Sequence, residues 1–403
     1  MVLITKKLQR FCMTFAFLMF CFLANTQLTH AGTNSSQQAS ETINVNQAME
    51  GVMDSDYSWF VTKLTQSGIF YVDFNRASED GDRYSNAGWK LSVYVNNRFI
   101  LDNHYIAESS SAYTSPYYAY PAGTKVYIRI QNAGAGTNVP YRFNLINKAS
   151  STWESESNDT KAKADIISVN KFYKGNFAKG DTLDYYKAKL TKTGYTQLVF
   201  GRLSPDGDRY TNAGWKVSLM VGGKFILDSA VITENEALNG YRSPLFGYQK
   251  GQTIYIRIEN WGAGNNVDYK FCLKNTASSV WESESNNTRN AADSIKVNKA
   301  YFGNFHTADS VDFYAVKAAK TGTFRISFGR RQDTGDRYSN AGWKVSVFVD
   351  KKKVLDSKYV TEEAALNGYL SGRFKVKKGQ KITVMVEDYG ASNHVDYKLA
   401  VKM

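Results

Sequence analysis

Cysteine, histidine and proline are nearly absent from this chain, with 3, 4 and 5 among 403 residues. Each shortage excludes something. Cys12 and Cys21 lie in an N-terminal apolar segment with the marks of a leader. Its removal leaves Cys272 alone, so no intrachain disulfide can hold the rest together. Beyond the leader only His104, His306 and His394 remain, and they do not recur at matching places in the repeats described below. His306 aligns with Ala178, and His394 with Asn266. HExxH, GxSxG and paired Cys/His patterns are all missing. The chain is therefore expected not to be an enzyme. Long apolar runs are missing too: Phe11–Leu23 falls short of the ~18–20 residues that a membrane span needs.

That run follows Lys6, Lys7 and Arg10 and precedes the small residues Thr29 and Ala31. This is the layout of a secretory signal peptide over residues 1–31. Leu18-Met19-Phe20 before Cys21 lacks the small residue expected ahead of a lipidated cysteine. The expected location is extracellular or at the cell surface. The leader holds three positive charges and no negative ones, so its loss lowers the formal charge from +13 to +10. A positive balance favours anionic surfaces. The lysines are scattered rather than clustered, as on solvated faces, and nucleic acid is not an expected partner of a secreted chain.

What is present is repetition. Trp153-Glu154-Ser155-Glu156-Ser157-Asn158-Asp159-Thr160 returns as Trp281-Glu282-Ser283-Glu284-Ser285-Asn286-Asn287-Thr288, 128 residues on. A second signature occurs three times, at Asp80–Lys90, Asp206–Lys216 and Thr334–Lys344. A period this long exceeds the ~20–50 residues of a solenoid unit and lets each copy bury its own core. Three domains are expected: 32–149, with a disordered leader at 32–38, then 150–277 and 278–403. Inside each, Gln252–Glu259 and Val267–Leu273 alternate polar and apolar residues, as half-buried strands do. Asn96-Asn97 and Gly222-Gly223 read as hairpin turns. Thr233–Leu238 and Glu362–Leu366 look helical. The expected fold class is all-β: three tandem jelly-roll-like antiparallel sandwiches.

The acidic tag is the best clue to chemistry. In an extended segment Glu154, Glu156 and Asn158 share one side. About 25 residues later come Asp181 and Asp184, and in the third domain Asp309 and Asp312. If the Asp184 strand runs beside the tag, the carboxylates converge. Alone they repel; around Ca²⁺ they supply the oxygen ligands of a hard cation. The absence of His and Cys from the pattern argues against zinc or copper. The competing reading is a solvated acidic spacer. Two glutamates two residues apart cannot flank a glycosidic bond, although carboxylates from different strands could.

The order Glu-x-Glu-x-Asn-Asp, Ala-x-x-Ile-x-Val-Asn, Gly-Asn-Phe and Asp-x-x-Asp-Tyr-Tyr resembles the bacterial pre-peptidase C-terminal domain. That family includes the collagen-binding domains of clostridial collagenases. The resemblance covers the second and third domains, most clearly their first halves. It implies a jelly-roll sandwich whose calcium ligands come from the N-terminal linker. Those ligands would be Glu154, Glu156, Asn158, Asp159, Asp181 and Asp184, and then Glu282, Glu284, Asn286, Asn287, Asp309 and Asp312. Asn287 replaces an acid, which predicts a weaker site. In the first domain the place of Glu154 falls at His30 and that of Asp184 at Ser58, and no equivalent site is expected. Collagen contact in the relatives uses exposed aromatics on a sheet face; Tyr127 and Tyr255 match in type, while the third domain has Thr383.

The Gly-Asp-Arg-Tyr loops stand outside this resemblance. One reading makes them sugar sites, with Asp82, Arg83, Tyr84 and Trp89, then Asp208, Arg209, Tyr210 and Trp215, then Asp336, Arg337, Tyr338 and Trp343. The other makes them structured loops whose Trp enters the core. The expected function is non-catalytic calcium-dependent adhesion to an extracellular polymer: matrix protein, wall polymer or polysaccharide. A spacer or secretion-linked protein without a specific ligand, and a hydrolase with an unrecognised site, remain as alternatives.

Overall fold

The computed structural model describes residues 27–29, 34–53, 55–78, 83–110, 112–136, 139–203, 212–263, 267–307, 309–331, 340–391 and 395–403. Most of the leader segment lies outside these residues. Alternating side chains build the rest. Along Thr253–Trp261, Ile254, Ile256 and Ile258 point inward and are wholly buried, while Tyr255 and Arg257 stay partly exposed. An antiparallel sheet with one wet face produces that pattern.

Each domain is a sandwich of two sheets. In the second domain one sheet runs Asp165–Ile167, Leu183–Lys189, Thr253–Trp261, Gly214–Val221, Lys224–Thr233. The other runs Tyr173–Gly175, Tyr269–Ala277, Gly194–Arg202, with Tyr241–Arg242 and Phe246–Tyr248 both pairing the last. The third domain repeats this order strand for strand. The first differs by an added strand, Gln27–Thr29, parallel to Ala48–Gly51. It falls inside the segment read as a leader. It occupies the place of the tag in the other domains, and Thr29 rather than His30 stands opposite Gly51.

Three separate apolar cores fill the sandwiches. Asn96 and Asn97 take positive φ (50° and 63°) in a two-residue hairpin, as their short polar side chains permit. Glu234–Asn239 is a helix with a capping box between Thr233 and Glu236. Glu362–Asn367 is its counterpart, capped one way only by the Thr361 hydroxyl accepting from the Ala364 amide. The expected disorder at 32–38 is not found from Asn34 onward. Asn34 is buried, and its carbonyl accepts from the Trp59 amide at 2.8 Å. Backbone pairing at that sheet end outweighs the polar composition. No helix among the described residues is long and apolar enough to cross a membrane.

Candidate metal centre

The tag is a strand shared by two domains. On one side the Glu154 amide donates to the Lys174 carbonyl at 2.9 Å. On the other the Glu156 amide donates to Ala119 of the first domain at 3.0 Å. Extended backbone then alternates as expected: Glu154, Glu156 and Asn158 are buried, while Ser155 and Ser157 are not. The Glu156–Ser157 and Glu284–Ser285 peptides are cis. Leu183–Lys189 does run beside the tag, with the Tyr185 amide on the Asn158 carbonyl at 3.0 Å. That contact carries Asp184 into the cluster, and the turn closed by the Asp181 amide on Ala178 brings Asp181. The solvated-spacer reading does not survive this burial.

Five of the six expected ligands in the second domain hold a buried oxygen with no hydrogen-bond partner. They are Glu156 Oε2, Asn158 Oδ1, Asp159 Oδ1, Asp181 Oδ2 and Asp184 Oδ1. The third domain repeats the set with Glu284 Oε1, Asn286 Oδ1, Asn287 Oδ1, Asp309 Oδ2 and Asp312 Oδ1. Buried oxygens of this kind normally find partners, and an unpaired one is costly. Glu156, Asp181 and Asp184 offer oxygens within 4.8 Å of one another, as do Glu282, Glu284 and Asp312.

Asn158 shows how the cluster is aimed. Its Nδ2 donates to Asp165 Oδ2 at 3.3 Å, and the same oxygen accepts from the Ser155 amide at 2.8 Å. With the amino side held by a carboxylate, the carbonyl side faces the acidic group. Asp293 does the same for Asn286 at 3.4 Å. One cation already faces the first cluster: the Arg98 guanidinium lies 4.0 Å from Glu156 Oε2. The donor set is all oxygen and converging, the oxygens named above lack hydrogen-bond partners, and it fits a hard divalent cation.

Glu154 departs from expectation. Its Oε1 accepts from the Asn176 amide at 2.8 Å, and its Oε2 from the Tyr186 and Tyr269 hydroxyls at 2.8 and 3.1 Å. Both oxygens are already engaged, so Glu154 braces the cluster. Tyr186 and Tyr269 touch each other at 2.6 Å, and Tyr269 also reaches Asp184. Two hydroxyl protons thus serve four short contacts. Burial pushes Glu154 up to about 8, with the neighbouring Asp181 carboxylate adding to the shift and the Asn176 amide opposing it. Asp184 is raised well above the carboxylate range by burial and then by Glu154, Asp181 and Glu156. A cation at the cluster would reverse that repulsion.

Sequence reasoning missed four kinds of residue. Tyr269 arrives from a strand 115 residues beyond Glu154, and nothing local marks it; Tyr186 ends the Asp-x-x-Asp-Tyr-Tyr motif, which was read for its acids alone. Asp165 and Asp293 follow the tag by a fixed interval that could have been noticed. Asn176 and Asn304 lie in the Gly-Asn-Phe motif; their side chains donate to Tyr117 and Leu245 of the preceding domains at 2.9 and 2.7 Å. His306 was set aside for not recurring, yet it lies within 4.8 Å of Glu284 and Asp309.

In the first domain Ser58 is buried at the place of Asp184 and its hydroxyl contacts Met53 Sδ at 3.7 Å. Cys272 is buried.

The tryptophans cannot serve as platforms in the sugar-site reading of the loops, while the Tyr84 ring is 53% exposed. Trp89, Trp215 and Trp343 are wholly buried and pack on Phe74, Phe200 and Phe328 at 5.5, 5.4 and 5.5 Å. The Tyr84 amide is tied to Glu108 at 3.5 Å. Asp82, Asp208, Arg209, Tyr210, Asp336, Arg337 and Tyr338 lie outside the described residues.

No protein-family model and no curated protein matches the chain. Among solved structures, the pre-peptidase C-terminal domain of collagenase from Bacillus anthracis is similar at 19% identity. It covers 28% of this chain and 94% of its own, with a TM-score of 0.21. The triple jelly roll of an archaeal virus turret is similar at 10% identity, over 87% of this chain and 82% of its own, with a TM-score of 0.21. An M60 catalytic domain with two CBM51 domains from Clostridium perfringens shares 9% identity over 86% and 54%, with a TM-score of 0.21. At these levels the likeness concerns the fold alone.

Proposed function

We propose that this chain is a non-catalytic, calcium-binding array that attaches to an extracellular polymer. The observation that carries the reading is the pair of clusters of buried oxygens without hydrogen-bond partners, one at each domain boundary. Glu156, Asn158, Asp159, Asp181 and Asp184 would hold one ion, and Glu284, Asn286, Asn287, Asp309 and Asp312 another. Calcium there supplies positive charge and coordination, joining each tag to the domain that follows. Extracellular calcium modules bind at ~10⁻⁴–10⁻³ M. At 100-fold excess over Kd, binding adds about 2.7 kcal/mol to stability.

A surface suited to a polymer lies on the first domain. Arg129 sits over Tyr57, Trp59 and Phe99 at 5.6, 5.7 and 4.6 Å, and Tyr94 links Phe99 to Tyr127 at 5.0 and 6.0 Å. These half-buried rings share one outer sheet face, where aromatic and Arg side chains make strong contacts. In the second domain Lys161 covers Tyr255 at 4.6 Å.

The test is calcium calorimetry on the full chain, with binding to collagen, cell-wall polymer and polysaccharide surfaces in calcium and in EDTA. In zinc-free buffer, two calcium ions for the wild type, one for Asp184→Ala and none for Asp184→Ala with Asp312→Ala are expected. Retention on one polymer should fall with Trp59→Ala. Absence of calcium uptake at millimolar concentration would defeat the reading; calcium uptake without any retention would make the chain a spacer.

A further inference from the structure

The two boundary clusters are not chemically alike. At the second boundary Glu284, His306 and Asp309 are all buried and bring ligand atoms within 4.8 Å of one another. At the first, the place of His306 is taken by Ala178, which packs into the core of the first domain. The other groups correspond in position, with Asn287 in place of Asp159 and Lys224 in place of Arg98. The imidazole is the one addition, and it changes the donor set from all oxygen to nitrogen plus oxygen.

That change matters for metal choice. Imidazole suits zinc and its first-row neighbours, whereas calcium and magnesium take oxygen. One histidine with two carboxylates, and space for water, is a donor set zinc accepts. Space is present: a cleft of about 410 Å³ at this boundary is lined by Lys224, Tyr248, Glu284, Asn287 and His306 among others. A ligating imidazole commonly gives its second nitrogen to a hydrogen-bond partner that fixes the ring. The Tyr248 hydroxyl of the second domain lies 3.3 Å from His306 Nε2, and with Nε2 held there the proposed site takes its metal on Nδ1. Two unpartnered buried oxygens, Glu284 Oε1 and Asp309 Oδ2, belong to the same group.

We infer that the boundary between the second and third domains is a transition-metal site of the zinc class, held by Glu284, His306 and Asp309 and steadied by Tyr248. It rests on the calcium reading only in that it shares Glu284 and Asp309 with the second cluster. Where zinc is supplied it displaces calcium from the second boundary, and the chain then carries a hard cation at the first boundary and a borderline one at the second.

The experiment is equilibrium dialysis of the full chain against Zn²⁺ in millimolar Ca²⁺, with metal analysis, and Co²⁺ absorption as a second probe. One zinc and one calcium per wild-type chain are expected. His306→Ala should weaken zinc at least tenfold and leave calcium at the first boundary. His306→Gln keeps the bulk and a partner for Tyr248, and serves if the alanine variant melts early. Tyr248→Phe should weaken zinc about tenfold, as loss of an outer partner does. Zinc uptake unchanged in both His306 variants would overturn the inference. So would calcium at both boundaries with no zinc, which leaves the calcium reading standing. Zinc lost with His306 but no calcium anywhere would do the reverse.

Discussion

The hydroxyl of Tyr269 lies 2.5 Å from Oδ2 of Asp184, on strands that belong to opposite sheets of the second domain. The same hydroxyl reaches Glu154 in the tag. One phenol therefore links both sheets and the segment that precedes them. Tyr269→Phe removes this link with little change of shape. The expected outcome is calcium binding weakened about tenfold or more, as for other outer partners. A loss of about 1–3 kcal/mol in unfolding free energy should accompany it. Calorimetry and urea unfolding measure the two separately.

Asp165 has no oxygen assigned to the ion, but it aims Asn158. Asp165→Ala should cost about 10–100-fold in calcium affinity at the first boundary and leave the second unchanged. Asp293→Ala should do the opposite. Titrating both variants against the wild type separates an aiming role from general damage, because only one of two binding steps should move.

Gly175 runs against Glu154 and Tyr269 so closely that a Cβ would collide with the carboxylate and the phenol. Gly303 stands in the same relation to Glu282, Tyr314 and Tyr397. Gly175→Ala is expected to destabilise the second domain by about 1–3 kcal/mol, the usual cost of overpacking. Scanning calorimetry should show one transition lowered and the others in place.

The metal-free chain should respond to pH in a definite direction. Glu154 and Glu282 are both pushed up to about 8 from 4.5, mainly by burial. A folded carboxyl with a raised pKa contributes stability below its unfolded value and loses it as pH climbs through the folded one. In EDTA the melting temperature is expected to fall between pH 4.5 and about 8. Saturating calcium should shrink that fall, since a bound cation favours the ionised form of the neighbouring Glu154 and Glu282. A flat profile in EDTA would mean that the carboxyls are hydrated rather than buried.

Much of this was legible in the residues. Period-two alternation located the strands, Asn96-Asn97 and Gly222-Gly223 the hairpins, and Thr233–Leu238 the helix. That the tag and the following Asp pair meet was conditional on the Asp184 strand running beside the tag, and the Tyr185 amide on the Asn158 carbonyl supplies that condition. The role of Glu154 was not legible, since it depends on Tyr269 far along the chain. The burial of Trp89, Trp215 and Trp343 was one of two readings that composition allowed. His306 was overlooked for a different reason: comparison among repeats rewards what recurs, and a residue present once carries its information by being different.

The tag hydrogen-bonds to the domain behind it through Glu284 and Gly247 and to the domain ahead through Glu282 and Phe302, at 3.0 and 2.9 Å. A pull on the ends of the chain therefore has no slack tether to straighten at the boundaries. It must shear a short extended segment from two neighbours at once, across a cluster whose carboxylates stay ionised most readily when a cation is held. The joints, rather than the sandwiches, then set how far the chain extends under load, and the ions around it set how firmly they grip.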